Sequence, residues 1–234
     1  MTIFFYYLAS VMAVICVLVP HEFAHAFVAH KCGDGTPKAY GRLTLNPIKH
    51  IDPMGIVMCF LTGFGWAKPV PINPYNFRNF KKGLFLTAIA GVVMNYIIAF
   101  CAYPVALALS PYSNVLGLDL VFYIFQLIYA YSLSVFIFNL LPFYPLDGFR
   151  VVEAFTREVN PVSRFLKNYG RYILLGLVLE SFLCGILEEY TTYTFVKYFN
   201  ILGYVHWFAE NIIGFPITAM WKAIFGQPIV FQPY

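Results

Sequence analysis

The sequence predicts an all-α polytopic membrane protein, with about four to five transmembrane helices and a small β or re-entrant region on the cytoplasmic side. Three observations predict it. Hydrophobic residues make up 60% of the 234 and charged residues only 11%, whereas soluble domains are nearer half apolar and a quarter charged. Several apolar stretches are long enough to cross roughly 30 Å of hydrocarbon as helices. The cations fall between those stretches: of fifteen Lys and Arg, eight lie in 31–82 and five in 150–171. The net charge of +4 therefore reports topology rather than a nucleic-acid partner, since no basic stripe interleaves with aromatics. The lipid bilayer is the expected surrounding.

Residues 3–29 form the first apolar segment, which Pro20 is expected to bend. No Lys or Arg precedes Lys31 and no small-x-small site follows the segment, so it reads as a mature helix rather than a signal peptide. Residues 30–53 are polar and rich in Gly and Pro, with short alternation over Tyr40–Leu45, which suits small strands or turns. Residues 54–65 are apolar but too short to span, and fit a re-entrant or interfacial element. In the run Trp66-Ala67-Lys68-Pro69-Val70-Pro71-Ile72-Asn73-Pro74, three prolines keep the chain extended.

Residues 83–109 and 118–141 are two clear spans, joined by a loop at 111–117 that carries no cation. Residues 171–187 form a weaker span. The aromatic-rich stretch 195–226 either crosses again or lies in the interface, where Trp207 and Trp221 with Lys197 and Lys222 suit anchoring. The positive-inside bias puts 31–82 and 150–171 in the cytoplasm and 110–117 outside. Cys16, Cys32, Cys59, Cys101 and Cys184 show no CxxC pattern, so neither a disulfide framework nor a cysteine metal site is expected. No internal repeat is evident.

The chemistry centres on His21-Glu22-Phe23-Ala24-His25. On a helix, positions i and i+4 lie about 40° apart and one turn up, so both imidazoles reach one metal ion. Glu22 flanks that face, where it can take a proton from a water rather than ligate. Ionisable groups deep in a membrane helix cost roughly 2.5–3.5 kcal/mol each on insertion scales, so three within five residues point to a site. A catalytic zinc usually takes three protein ligands. Asp34, Asp52, Glu153 and Glu158 are expected in surface loops, Asp119 outside, and Glu188 and Glu189 at the end of the weaker span. Glu180, within that span, competes with Asp147. Asp147 closes the run Asn139-Leu140-Leu141-Pro142-Phe143-Tyr144-Pro145-Leu146-Asp147-Gly148, whose prolines break the preceding helix where irregular backbone can line a cavity. An ordinary capping aspartate is the plainer alternative.

His-Glu-x-x-His in one membrane helix, with Leu146-Asp147-Gly148 after a later one, resembles the site-2 protease family of intramembrane metalloproteases. Leu45–Pro53, Gly65–Pro71 and the Gly-x-x-x-Asn run Gly91–Asn95 are similar to further family segments, so the resemblance covers about residues 15–150. Val92, Tyr144 and Phe149 depart from the residues often found there, and none replaces a proposed ligand or base. The chain resembles a minimal form of the family without PDZ or CBS modules. The resemblance implies a catalytic core over 1–170, with helices that span or lie in the interface over 171–234.

It also implies that His21, His25 and Asp147 hold Zn2+, with Glu22 as general base. The implied substrate is a transmembrane segment of another protein, unwound locally before attack. Asn95 and Asn139 are candidates for holding that backbone or the oxyanion, with interhelical hydrogen bonding as the alternative. The 66–73 segment is either a plain connection or an edge with which the opened substrate pairs. His30 and His50 are expected at the cytoplasmic interface, and His206 packed among aromatics. A metal transporter, which should show several ligand sets or repeat symmetry, and a catalytically silent relative are the rival readings.

Overall fold

The computed structural model describes residues 3–62, 65–113, 115, 117–156, 160–190 and 200–225. Glu158 and residues 195–199 lie outside the described residues. Among the described residues four helices are long and apolar enough to cross a membrane: α1 (Ile3–Cys32), α5 (Phe80–Leu109), α6 (Leu118–Leu140) and α8 (Pro161–Tyr190). Pro20 lies inside α1 without ending it. Between α1 and α5 come three short helices, α2 (Thr36–Ala39), α3 (Pro47–His50) and α4 (Pro53–Thr62). Helix α7 (Asp147–Phe155) joins α6 to α8. The chain closes with α9 (Ile201–Phe208), a π turn over Ala209–Ile213, and α10 (Phe215–Phe225).

α1, α5 and α6 pack on one another and form the core. Small residues make this possible. Ala9, Ala13 and Val17 recur every fourth position on α1, opposite Ala99, Ala102 and Ala106 on α5, and all are buried. Helices in lipid gain little from apolar burial alone, so close backbone approach between small side chains is what holds them together. The larger members, Tyr103 and Tyr129, stack obliquely with centroids 4.9 Å apart.

The expected β region amounts to one pairing. Among the described residues the sole β contact is an isolated antiparallel bridge between Ile51 and Ala67, and residues 40–45 form turns and bends. The short apolar segment is α4, only ten residues long. α1 ends in a Schellman motif: Gly33 at φ 117° donates to the His30 carbonyl, and Asp34 to the Ala29 carbonyl. α8 starts ten residues before the expected 171, because Asn160 caps it at the Val162 N–H and nothing interrupts the helix after Pro161. α9 packs on α6, and the Trp221 indole of α10 donates to the Phe100 carbonyl of α5 at 3.1 Å.

Two expectations about acidic residues are corrected here. Asp34 is not at the surface but fully buried, because it accepts from the Thr36 N–H and hydroxyl, the Asn73 N–H and the Asn76 amide. Glu153 belongs to α7 rather than a loop, where it faces Lys167 at 3.5 Å.

Candidate metal centre and active site

The helical period brings His21 and His25 together on the face of α1 that meets α5. Their Nε2 atoms lie 3.0 Å apart, and the rings meet edge to face. Asp147, the first residue of α7, joins them from an element that packs on α5. Its Oδ2 lies 3.3 Å from His21 Nε2 and 3.0 Å from His25 Nε2. All three residues are buried. The start of α7 can dock this closely because residue 148 is glycine: a Cβ there would sit 2.4 Å from the Leu140 and Leu141 carbonyl oxygens.

Around this cluster the ring nitrogens that face away are also engaged. His25 Nδ1 lies 2.7 Å from the Thr87 carbonyl oxygen, which can only accept, so Nδ1 carries the proton and Nε2 keeps its lone pair. The Asn95 amide nitrogen lies 3.1 Å from His21 Nδ1, while its Oδ1 is buried without a partner. Turning the amide over puts Oδ1 on a His21 Nδ1–H, which satisfies the orphaned oxygen and frees Nε2 of His21 as well. Asn95 is wholly buried and faces His21 rather than the open space beside the cluster. Glu22 stands outside the cluster, its Oε2 accepting from the Val70 N–H at 3.0 Å.

That open space is a cleft of about 480 Å³ between α1, α6, α9 and the 65–69 segment, with His21, Glu22, Trp66, Asn139 and His206 on its walls. Asn139 bonds to the Val135 carbonyl of its own helix at 3.0 Å. His206 is exposed and lies 2.7 Å from the Ser134 hydroxyl, so it borders the cleft instead of packing among aromatics. His50 is fully buried, 2.7 Å from the Thr44 carbonyl. Glu180 is elsewhere, beside Cys184. Among the described residues His21, His25 and Asp147 are the one group of His, Cys, Asp and Glu that could hold a metal ion.

The profile of peptidase family M50 matches residues 113–180. A Bacillus subtilis (strain 168) protein, provisionally named zinc metalloprotease YwhC, is 43% identical over 186 residues, which is 74% of this chain and 84% of the relative. The chain belongs to peptidase family M50, the site-2 protease family. Mycobacterial proteins provisionally named zinc metalloprotease Rip2 are more distant. The one from Mycobacterium tuberculosis (strain ATCC 25618 / H37Rv) is 30% identical over 173 residues, 70% of this chain and 64% of that protein. The one from Mycolicibacterium smegmatis (strain ATCC 700084 / mc(2)155) is 27% identical over 216 residues, 88% and 77% respectively. No solved structure matches at a significant level. As an M50 member with four helices of spanning length, the protein is an integral membrane metalloprotease, and its cofactor is Zn2+.

The donor set fits that ion. Tetrahedral zinc with bonds near 2.0–2.1 Å sets its ligand atoms about 3.3 Å apart, and the three atoms here are separated by 3.0–3.3 Å. Gly91 is the cradle: a Cβ on it would lie 2.4 Å from His25 Nε2 and 2.6 Å from His21 Cε1. Gly91 and Asn95 stand in the sequence as Gly-x-x-x-Asn, a spacing that sets both on one helix face. The Thr87 carbonyl carried no signal in the sequence, since any residue supplies one. The 66–73 segment proves to be committed within the chain. Its N–H groups at Lys68, Val70 and Asn73 donate to the His50 carbonyl, Glu22 and Asp34.

Proposed function

We propose that this M50 protein hydrolyses peptide bonds within or near the transmembrane helices of other membrane proteins. In this reading His21, His25 and Asp147 hold Zn2+. The ion, when bound, lowers the pKa of a water towards neutrality and polarises the scissile carbonyl. Glu22 is the general base that takes the water proton and delivers it to the leaving amine. Its Oε2 is fixed by the Val70 N–H, which leaves the other carboxylate oxygen for the proton. Thr87 and Asn95 keep the imidazoles in the tautomer that ligates. Asn139, on the cleft wall, offers its amide to the unwound substrate backbone. A substrate strand pairing with 66–73 would have to do so beside, or in exchange for, the bonds that segment already makes.

The observation that supports this reading best is the convergence of two imidazoles and a carboxylate at the inner end of a membrane helix, against a cleft with Glu22 on its wall. In the same reading that end lies on the cytoplasmic side of the cell membrane, an orientation the positive-inside bias supports. A helix entering such a cleft exposes few free carbonyls until it opens, so the chemistry selects locally unwound segments. The test is zinc content of the purified protein together with cleavage of a panel of single-span proteins in liposomes. Glu22→Gln should keep zinc and abolish cleavage, and Asp147→Ala should lose or weaken zinc. Wild-type protein without zinc, or Asp147→Ala with unchanged affinity, would overturn the ligand assignment.

A further inference from the structure

One buried cation has no task in this scheme. Arg42 lies in the turn after α2 and is only 5% exposed. Its Nη2 donates to the Lys68 carbonyl, while its Nε is buried with no hydrogen-bond partner. A guanidinium taken out of water and left partly unsatisfied is costly, and the contact with Lys68 does little to justify it. That residue is already held by its N–H on the His50 carbonyl at 2.8 Å, next to the Ile51–Ala67 bridge. The carboxylate whose charge reaches Arg42 is Glu22. Glu22 in turn grips the same extended segment two residues further on, at Val70. Arg42 and Glu22 are therefore fastened to one short stretch of backbone, at Lys68 and Val70, about 7 Å apart along an extended chain.

We propose that Arg42 is a positioning residue for hydrolysis. It anchors the Lys68 carbonyl so that the Val70 N–H, two residues on, stays on Glu22. The inference rests on the reading of Glu22 as the base. It differs from a role in folding because Arg42 touches none of the three ligand residues, so zinc should be indifferent to it. It differs from a role in substrate docking because the effect passes through the base and belongs to the chemical step.

The test compares Arg42→Ala, Arg42→Lys and Glu22→Gln as purified zinc-loaded proteins, on the best-cleaved member of the liposome panel. Arg42→Ala should bind zinc as the wild type does and keep its KM. Its kcat should fall about ten- to a hundred-fold, as expected when a reacting group is displaced by about 1 Å. Arg42→Lys keeps the charge but loses the fork and should fall between them, and added methylguanidinium should recover part of the Arg42→Ala loss. An unchanged kcat in Arg42→Ala overturns the inference, as does a raised KM with kcat intact. Zinc lost in step with activity also overturns it. If Arg42→Ala does not fold, a folded Arg42→Lys with full kcat is equally decisive against it. Glu22→Gln separates the two levels: an active Glu22→Gln sinks the base assignment itself, while an inactive one beside a fully active Arg42→Ala sinks the Arg42 role alone.

Discussion

Gly91 fixes how near α5 comes to the two imidazoles, and alanine is the smallest change that tests it. A Cβ 2.4 Å from His25 Nε2 has backbone behind it and must push the ring off the cluster. Gly91→Ala should therefore weaken zinc binding about ten- to a hundred-fold, the range seen when partners of metal-binding His are disturbed, and isothermal titration with zinc would measure it. Asn95 gives a finer test. Asn95→Leu leaves His21 Nδ1 without its partner and should weaken zinc to a similar degree, about ten-fold or more. Asn95→Asp, which can still accept from Nδ1–H, should retain zinc. Equal losses in the two variants would mean that Asn95 only fills space.

At the scale of elements, Asp34 ties the end of α1 to the 73–76 turn through two hydrogen bonds, from Asn73 and Asn76, and accepts two more from Thr36. Burial raises its pKa, but the donations from Thr36 and Asn76 and from the backbone of Asn73 and Thr36 prevail, and the net shift is downward. A carboxyl whose pKa is lower in the folded state contributes stability above its unfolded pKa of about 3.9, and that contribution is lost as pH falls through the folded value. Asp34→Ala should cost about 2–3 kcal/mol, the range for bonds to a charged group, and should flatten the acid limb of thermal stability in detergent below about pH 4. The sequence showed the long helices plainly because their apolar runs exceed a bilayer thickness. It showed the start of α8 poorly because Arg164, Lys167 and Arg171 lower the hydropathy of a helix whose backbone bonds continue regardless. His21, Glu22 and His25 were legible because their spacing matches the helical period, and Asp147 because prolines mark its turn. Asp34 was misplaced because a Gly- and Pro-rich neighbourhood looks like solvent, although the Asp-x-Thr pattern of a local cap was present.

At the scale of the whole molecule, charge and connectivity agree on one orientation. α5 and α6 are joined by residues 110–117 at one end, while α1 finishes and α7 begins at the other. Single cysteines introduced in a background with the native thiols replaced should show it. Ser113→Cys should react with an impermeant maleimide on intact cells, and Asn160→Cys only after permeabilisation. The reverse pattern would invert the topology and move the cleft to the outer face. A metalloprotease must also leave its own chain uncut. The bonds Lys68–Pro69, Val70–Pro71 and Asn73–Pro74 are tertiary amides, rigid in φ and with no N–H to donate. Their neighbouring N–H groups are already committed to His50, Glu22 and Asp34. The stretch that walls the cleft beside Glu22 is thus poorly able to unfold into it, and self-digestion there is resisted by the same prolines that keep the segment extended.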